Sequence, residues 1–263
     1  NRTSPFAFTG NKFEFRMPGS AQSISGVNVM MNSIVAEIFR RYADRLEQAS
    51  DVEFEVNALI KESIIQHKRI IFNGNNYSDA WVEEAARRGL PNSPTTVDAL
   101  KAYIDPKNIK MFAENHIYAE NEVHARYEVK LEKYSSTLKI EALTMIDMAQ
   151  RQILPAALEY SKLVFDMLRI KEESCLTLDL DREKALAQAL AEHTSALLAA
   201  TEALEQAVEQ GKTIDDALER AEFYKAEILP AMANLRQPAD ALEKLVGAKY
   251  WPFPTYSHLL FDI

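Results

Sequence analysis

Residues 127–149 read YEVKLEKYSSTLKIEALTMIDMA, and within them Tyr127, Leu131, Tyr134, Leu138, Ala142, Met145 and Ala149 recur every three or four residues. That spacing is close to the 3.5-residue period of a coiled-coil seam, so the stretch predicts a long helix with one apolar edge in need of a partner. Pro155 is expected to end it, because proline lacks the N–H of the helical ladder and its ring crowds the preceding turn. The candidate partner begins at Asp181, carries Leu190, Leu197 and Leu204 one heptad apart in an alanine-rich background, and stops at Gly211. The two stretches predict a long antiparallel helical hairpin, and the fold class is mainly α.

Beyond the hairpin, Thr213-Ile214-Asp215-Asp216 resembles a capping box with Asp in place of Glu, opening a helix through Ile228 that stops before Pro230. A last amphipathic stretch covers residues 239–246. Ile153-Leu154-Pro155-Ala156 recurs as Ile228-Leu229-Pro230-Ala231, but the flanks do not match. The identity reads as chance in a chain rich in Leu and Ala. Before the hairpin, Val27, Met30, Met31, Ile34, Val35 and Ile38 form an apolar stripe that needs cover. A second stripe, Val52, Val56, Leu59, Ile60, Ile64 and Ile70 or Ile71, ends at Asn73-Gly74-Asn75. Tyr77 to Arg88 is a shorter helix closed by Gly89 and Pro91, and Thr95 offers a hydroxyl cap with Asp98 in the first turn behind it.

The opening segment differs. Three of the seven glycines, Gly10, Gly19 and Gly26, fall in the first 26 residues. Between these turns Lys12-Phe13-Glu14-Phe15-Arg16-Met17 alternates strictly, so a strand would put Lys12, Glu14 and Arg16 on one face and the apolar residues on the other. A lone strand leaves its backbone groups unpaired, so its partner strands are expected from elsewhere, from a region ahead of Asn1 or from a neighbouring subunit. Asn1 reads as the inside of a domain, as if the chain were truncated.

The chain of 263 residues is 47% hydrophobic and 26% charged, which fits one large globular domain or one with an appendage. A net charge of −9 without a basic stripe argues against nucleic-acid binding, which rests on clustered Lys and Arg. Charges interrupt every apolar run well before the ~20 residues of a bilayer span, so no membrane partner is expected. One cysteine, Cys175, excludes an internal disulfide framework and fits a reducing compartment, read as the cytoplasm.

A carboxylate flanked by an ammonium and a guanidinium suits an anionic, metal-dependent reaction, since the carboxylate can ligate a hard divalent cation and the guanidinium can fork onto a carboxylate or phosphate. Alone, such alternation is more often the solvated face of a strand. His116, Glu120 and His124, spaced as one helix face, would spread over ~12 Å, too far for one ion, and read as a polar face. His193 beside the leucine seam reads as a packed or edge histidine, and Cys175 as a small side chain rather than a nucleophile. Trp251-Pro252-Phe253-Pro254 is either a Pro-rich ligand for another protein or, as favoured, an apolar tail sealing a core or subunit contact.

Asn1-Arg2-Thr3-Ser4 followed by Lys12-Phe13-Glu14-Phe15-Arg16-Met17-Pro18 resembles the glutamine synthetase pattern of an Asn-Arg pair ahead of a basic-apolar-Glu-apolar-Arg-apolar-Pro strand. The wording from Asn1 to Arg16, Ile140-Glu141-Ala142 through Met148, and Tyr250-Trp251-Pro252-Phe253-Pro254-Thr255-Tyr256 look like the type III branch. The resemblance implies ATP-dependent joining of ammonia to L-glutamate through γ-glutamyl phosphate, with Mg²⁺ or Mn²⁺, in a homo-oligomer of stacked six-membered rings. It implies that Glu14 is a metal ligand and that Arg16 contacts glutamate. Arg2 would sit near the phosphoryl group between ATP and glutamate. Lys12 matches a nucleotide-binding lysine only loosely. Where the better-known bacterial pattern has a second arginine, this chain has Ala7, and its loop from Arg2 to Glu14 is shorter. On this reading residues 1–48 are the end of an α+β catalytic domain and residues 49–263 a helical C-terminal domain, inactive alone because the other metal carboxylates and the metal histidine would precede Asn1. The rival reading is a helical interaction or oligomerisation module without catalysis.

Overall fold

The computed structural model describes residues 6–8, 11–16, 19, 23–75, 78–174, 177–254 and 256–261. Their regular elements are helices apart from one two-stranded hairpin, so the mainly α expectation holds. The chain divides into two units, Asn1–Tyr127 and Glu128–Ile263.

In the first unit the strand has a partner within the chain. β1 (Phe6–Phe8) pairs antiparallel with β2 (Phe13–Phe15), in the register Phe6↔Phe15, Ala7↔Glu14 and Phe8↔Phe13. This corrects the expectation that every partner strand comes from elsewhere: β1 and β2 of the same chain pair with each other. Phe13 and Phe15 remain 58% and 41% exposed, so the apolar face of β2 is open. Helix α1 (Ser25–Leu46) and helix α2 (Val52–His67) follow the predicted stripes, and Asp51 caps α2 by accepting the Phe54 N–H at 3.0 Å. The buried side of α1 is not the apolar one, however. Ser33 and Glu37 are buried, whereas Ile34, Val35, Ile38 and Phe39 are exposed, and α2 has no buried residue at all.

Helix α3 (Asp79–Arg87) ends at Gly89, whose φ of +68° is the left-handed conformation that suits glycine. Arg88 ties this end back to the end of α2, donating to the carbonyls of Arg69 (3.1 Å) and Ile71 (2.8 Å). Thr95 accepts the Asp98 N–H to start helix α4 (Thr96–Lys101), and Asp105 caps helix α5 (Pro106–Glu114) with Pro106 in its first turn. Val97, Phe112 and Val123 are almost fully buried here, and the Phe112 ring meets that of Tyr118 with centroids 5.3 Å apart.

Helix α6 (Glu120–Met148) does not end at Pro155. It passes through a π-helical turn, Ala149–Ile153, into helix α7 (Leu154–Glu173), in which Pro155 occupies the first turn. The Leu154 N–H reaches back to the Ala149 carbonyl, five residues away, and this wider turn makes room for a ring that would otherwise crowd the carbonyl four residues before it. The same device recurs. Helix α9 (Ala217–Phe223) continues through the π-helical turn Tyr224–Ile228 into helix α10 (Leu229–Leu245), with Leu229 N–H on the Tyr224 carbonyl and Pro230 in the first turn. The helix therefore does not stop before Pro230, and the repeated Ile-Leu-Pro-Ala marks one local structure used twice rather than a chance identity.

Helix α8 (Asp181–Gly211) has the predicted bounds. It packs antiparallel on α7, Lys171 meeting Glu183 at one end and Gln150 meeting Glu205 at the other, so the first arm of the hairpin is α7 and not the 127–149 stretch expected: Pro155 does not end the helix, and α8 folds back along its continuation. Its other neighbour is α10. Leu190, Leu197 and Leu204 are buried to within 1% and share a core with Tyr224, Ile228, Leu235 and Leu242. A Cβ on Gly211 would lie 2.8 Å from the Tyr224 ring, so the absence of a side chain there allows the buried tyrosine its place. The cap of α9 is Asp216, which accepts the Glu219 N–H at 2.8 Å. Thr213, expected to play that part, instead donates to the Gln210 carbonyl at the end of α8. Trp251 and Phe253 pack against the core, and the Tyr160 and Tyr250 rings meet at 5.5 Å, so the Trp-Pro tail docks as favoured. Helix α11 (Tyr256–Phe261) follows.

Candidate functional site

The period-two pattern of β2 does what alternation requires. Arg16 donates from Nε (3.1 Å) and Nη2 (2.8 Å) to one carboxylate oxygen of Glu14, and Lys12 Nζ lies 4.0 Å from the other. The three side chains form a row of plus, minus, plus on one face. They are open to solvent, with 69% of the Lys12, 39% of the Glu14 and 33% of the Arg16 side chain exposed. Ion pairs of this exposure contribute at most ~1 kcal/mol, so stability gives little reason to hold them together. Their chemistry gives more. One carboxylate with two cations beside it can ligate a metal ion and hold anionic oxygens next to it.

Arg2 lies outside the described residues, as do Met17, Pro18 and Cys175. Ala7 stands directly opposite Glu14 in the hairpin register. A hard divalent cation takes about six oxygen ligands, and Glu14 supplies one group. Among the described residues no three His, Cys, Asp or Glu side chains gather closely enough to hold a metal ion. The described residues therefore fit one corner of a metal site and not a whole one. His116, Glu120 and His124 do not share a helix face: His116 has φ of +53° and belongs to the turn ahead of α6. His193 is half-buried on α8, as an edge histidine would be.

A second polar constellation lies in the first unit and was not anticipated from the sequence. Glu37 is 5% exposed. It accepts from Asn115 Nδ2 at 2.8 Å, from Arg40 Nη2 at 2.9 Å and from Arg41 Nε at 2.6 Å, while Arg40 also reaches Glu114 at 2.6 Å. These contacts join α1 to the end of α5. The Asn115 hydrogen bond, aided by the two guanidiniums and opposed by burial, holds the Glu37 carboxyl down to about 2. Its hydrogen bonds to Asn115, Arg40 and Arg41 give the carboxylate a structural part, tying α1 to the end of α5. The signal was Glu37, Arg40 and Arg41 at i, i+3 and i+4 inside an apolar stripe.

Because the folded-state value is below the ordinary 4.5, the stability Glu37 contributes is complete above about pH 4.5 and is lost as the pH falls toward 2. A loss of ~2–3 kcal/mol over that window is expected from a shift of this size. Amide-exchange protection in α1, corrected for intrinsic rates, should fall across it in the native chain and stay nearly level in Glu37→Gln.

Residues 55–171 match the family model of the glutamine synthetase C-terminal domain. The chain's similarity to individual glutamine synthetases runs from end to end. It is 35% identical over 269 residues to the type-3 glutamine synthetase of Dictyostelium discoideum, covering 99% of this chain and 36% of that protein. It is 36% identical over 268 residues to a glutamine synthetase of Butyrivibrio fibrisolvens, covering 100% and 38%, and 33% identical over 270 residues to one from Bacteroides fragilis, covering 99% and 37%. The chain thus spans a little over a third of the length of these relatives, matching their C-terminal part.

Proposed function

We propose that the chain is the C-terminal part of an ATP-dependent glutamate–ammonia ligase of the type III kind and that β2 carries one edge of its active site. The observation behind this reading is the gathering of Lys12, Glu14 and Arg16 on one strand face in a chain similar throughout to glutamine synthetases. Glu14 contributes one ligand to a bound Mg²⁺ or Mn²⁺, Arg16 forks onto a carboxylate of L-glutamate, and Arg2 and Lys12 neutralise phosphate oxygens. When bound, the metal offsets charge on the transferring phosphoryl group. The chain's own residues bind and orient: Arg16, already aimed along the strand at Glu14, places the substrate carboxylate beside the metal ligand. The remaining ligands come from the rest of a longer polypeptide, so this chain alone does not catalyse the reaction.

Three further readings belong to the proposal. The catalytic part ends near residue 48, ahead of the family match that begins at residue 55. The enzyme is a homo-oligomer of stacked hexameric rings. It works in the cytoplasm, for which no helix among the described residues is long and apolar enough to cross a membrane. The uncovered apolar faces of β2, α1 and α2 support a first unit that packs against the rest of a larger protein.

The alternative, a helical module serving assembly alone, draws on the absence of any metal-holding group among the described residues. Steady-state glutamine formation separates the two. In the longer polypeptide Arg16→Ala should raise the KM for glutamate by about 100-fold, the loss of a charge-assisted contact to substrate. An unchanged KM would favour the assembly module.

A further inference from the structure

Helix α8 has two working sides. One is the buried leucine seam. The other steps through Lys184, Gln188, Ala191, Ser195, Leu198 and Glu202, again three or four residues apart, and all six are exposed. This second side borders the junction with α7, along which lie two hollows of about 610 and 620 Å³, one lined by Phe165 and Ala191 and the other by Ser195 and Leu198. Leu198 and Phe165 are 50% and 48% exposed, so apolar surface lines a groove that none of the described residues fills.

The six positions are symmetric about residue 193. Ala191 and Ser195 lie two residues from it, Gln188 and Leu198 five, and Lys184 and Glu202 nine. A second α8 laid antiparallel with a two-fold axis at that point sets Lys184 against the partner's Glu202, Gln188 against the partner's Leu198 and Ala191 against the partner's Ser195. The small central residues let the helices approach toward the lower end of the usual ~8–10 Å. Leu198 and Phe165 then lose water-exposed apolar area. Parallel alignment would oppose lysine to lysine and glutamate to glutamate, so charge selects the antiparallel pairing. Lys184 already meets Glu172 of its own chain at 2.8 Å, and an ammonium has three donors, enough for both carboxylates.

We propose that this face of α8, with the α7 groove beside it, is a self-complementary docking surface whose occupant is a second copy of the chain. The contact is isologous, each helix offering the same patch. It uses no residue of the strand-borne cluster, so it stands or falls apart from the ligase reading.

Two experiments on the full 263-residue chain test it. In a Cys175→Ser background, Ala191→Cys combined with Ser195→Cys should give a disulfide-linked dimer on mild oxidation. Ala191→Cys alone should give little, its two copies being roughly 10 Å apart, beyond disulfide reach. By sedimentation velocity, Lys184→Glu and Glu202→Lys should each weaken association about tenfold, and the two together should restore it. Far-UV circular dichroism verifies that each variant is folded. Failure of the paired cysteines to cross-link, association indifferent to both charge reversals, or a double variant no stronger than the singles would overturn the proposal and leave the groove to a different helix.

Discussion

Replacing Glu14 by alanine is expected to abolish glutamine formation by the longer polypeptide, with kcat lower by at least about 1,000-fold, while its assembly state is unchanged. The size follows from what the side chain supplies. A metal ion at a transferring phosphoryl group contributes several kcal/mol of charge stabilisation, and each 1.36 kcal/mol is a factor of ten in rate. The side chain is 39% exposed, and its ion pairs with Arg16 and Lys12 are surface ones that contribute little to stability. Removing it leaves two cations that solvent can satisfy, so folding and oligomerisation should survive. Turnover at the native rate would sink the metal-ligand role, and loss of assembly together with activity would show that the residue acts through structure.

The second large effect lies in the other unit. Leu197→Ala should destabilise it by about 3–5 kcal/mol, the cost of deleting buried methyl groups and leaving a cavity. Leu197 is 1% exposed in the middle of α8, in the core that also holds Tyr224, Ile228 and Leu235. Leu197 lies in a core shared with the neighbouring helices, so the gap closes only as far as α7 and α10 can shift along the rest of that packed seam. Leu158→Ala on α7, where the side chain is 53% exposed, should cost well under ~1 kcal/mol. Chemical denaturation of a Trp81→Phe background, in which Trp251 is the one tryptophan emitting, would give both values, and equal losses would contradict the assigned core.

Helix α8 was legible in the sequence because leucines one heptad apart and Gly211 at its end are local signals, each set by one helix face or one terminus, whereas its hairpin partner was misplaced onto 127–149 because Pro155 was read as a stop and α7 was not recognised as the arm. The prolines misled for an identifiable reason. Pro155 and Pro230 read as stops under the rule that proline breaks a helix, and the rule fails where a preceding π-helical turn moves the conflicting carbonyl aside. The clue was the repeated Ile-Leu-Pro-Ala, whose unmatched flanks hid that only the turn is shared. At Thr213 two polar candidates stood three residues apart, and spacing alone could not tell the closing hydroxyl of α8 from the opening carboxylate of α9.

For α1 the stripe predicted burial of Ile34, Val35 and Ile38, but the burial observed is that of Glu37 and Ser33. Periodicity reports which face is apolar, and cannot report whether its cover lies within the same chain. Glu37 was hidden for the complementary reason, since its chief partner Asn115 is 78 residues away. The face bearing Lys12, Glu14 and Arg16 was readable from alternation, whereas the pairing of β2 with β1 was not, because Phe6-Ala7-Phe8 is too short to announce a strand.

Manganese binding to the longer polypeptide, counted by electron paramagnetic resonance with and without Glu14→Ala, tests the central claim most directly. The account predicts that the variant binds one Mn²⁺ fewer per subunit, or binds it at least about 100-fold more weakly, as loss of a charged ligand requires. Native stoichiometry and affinity in the variant would contradict it.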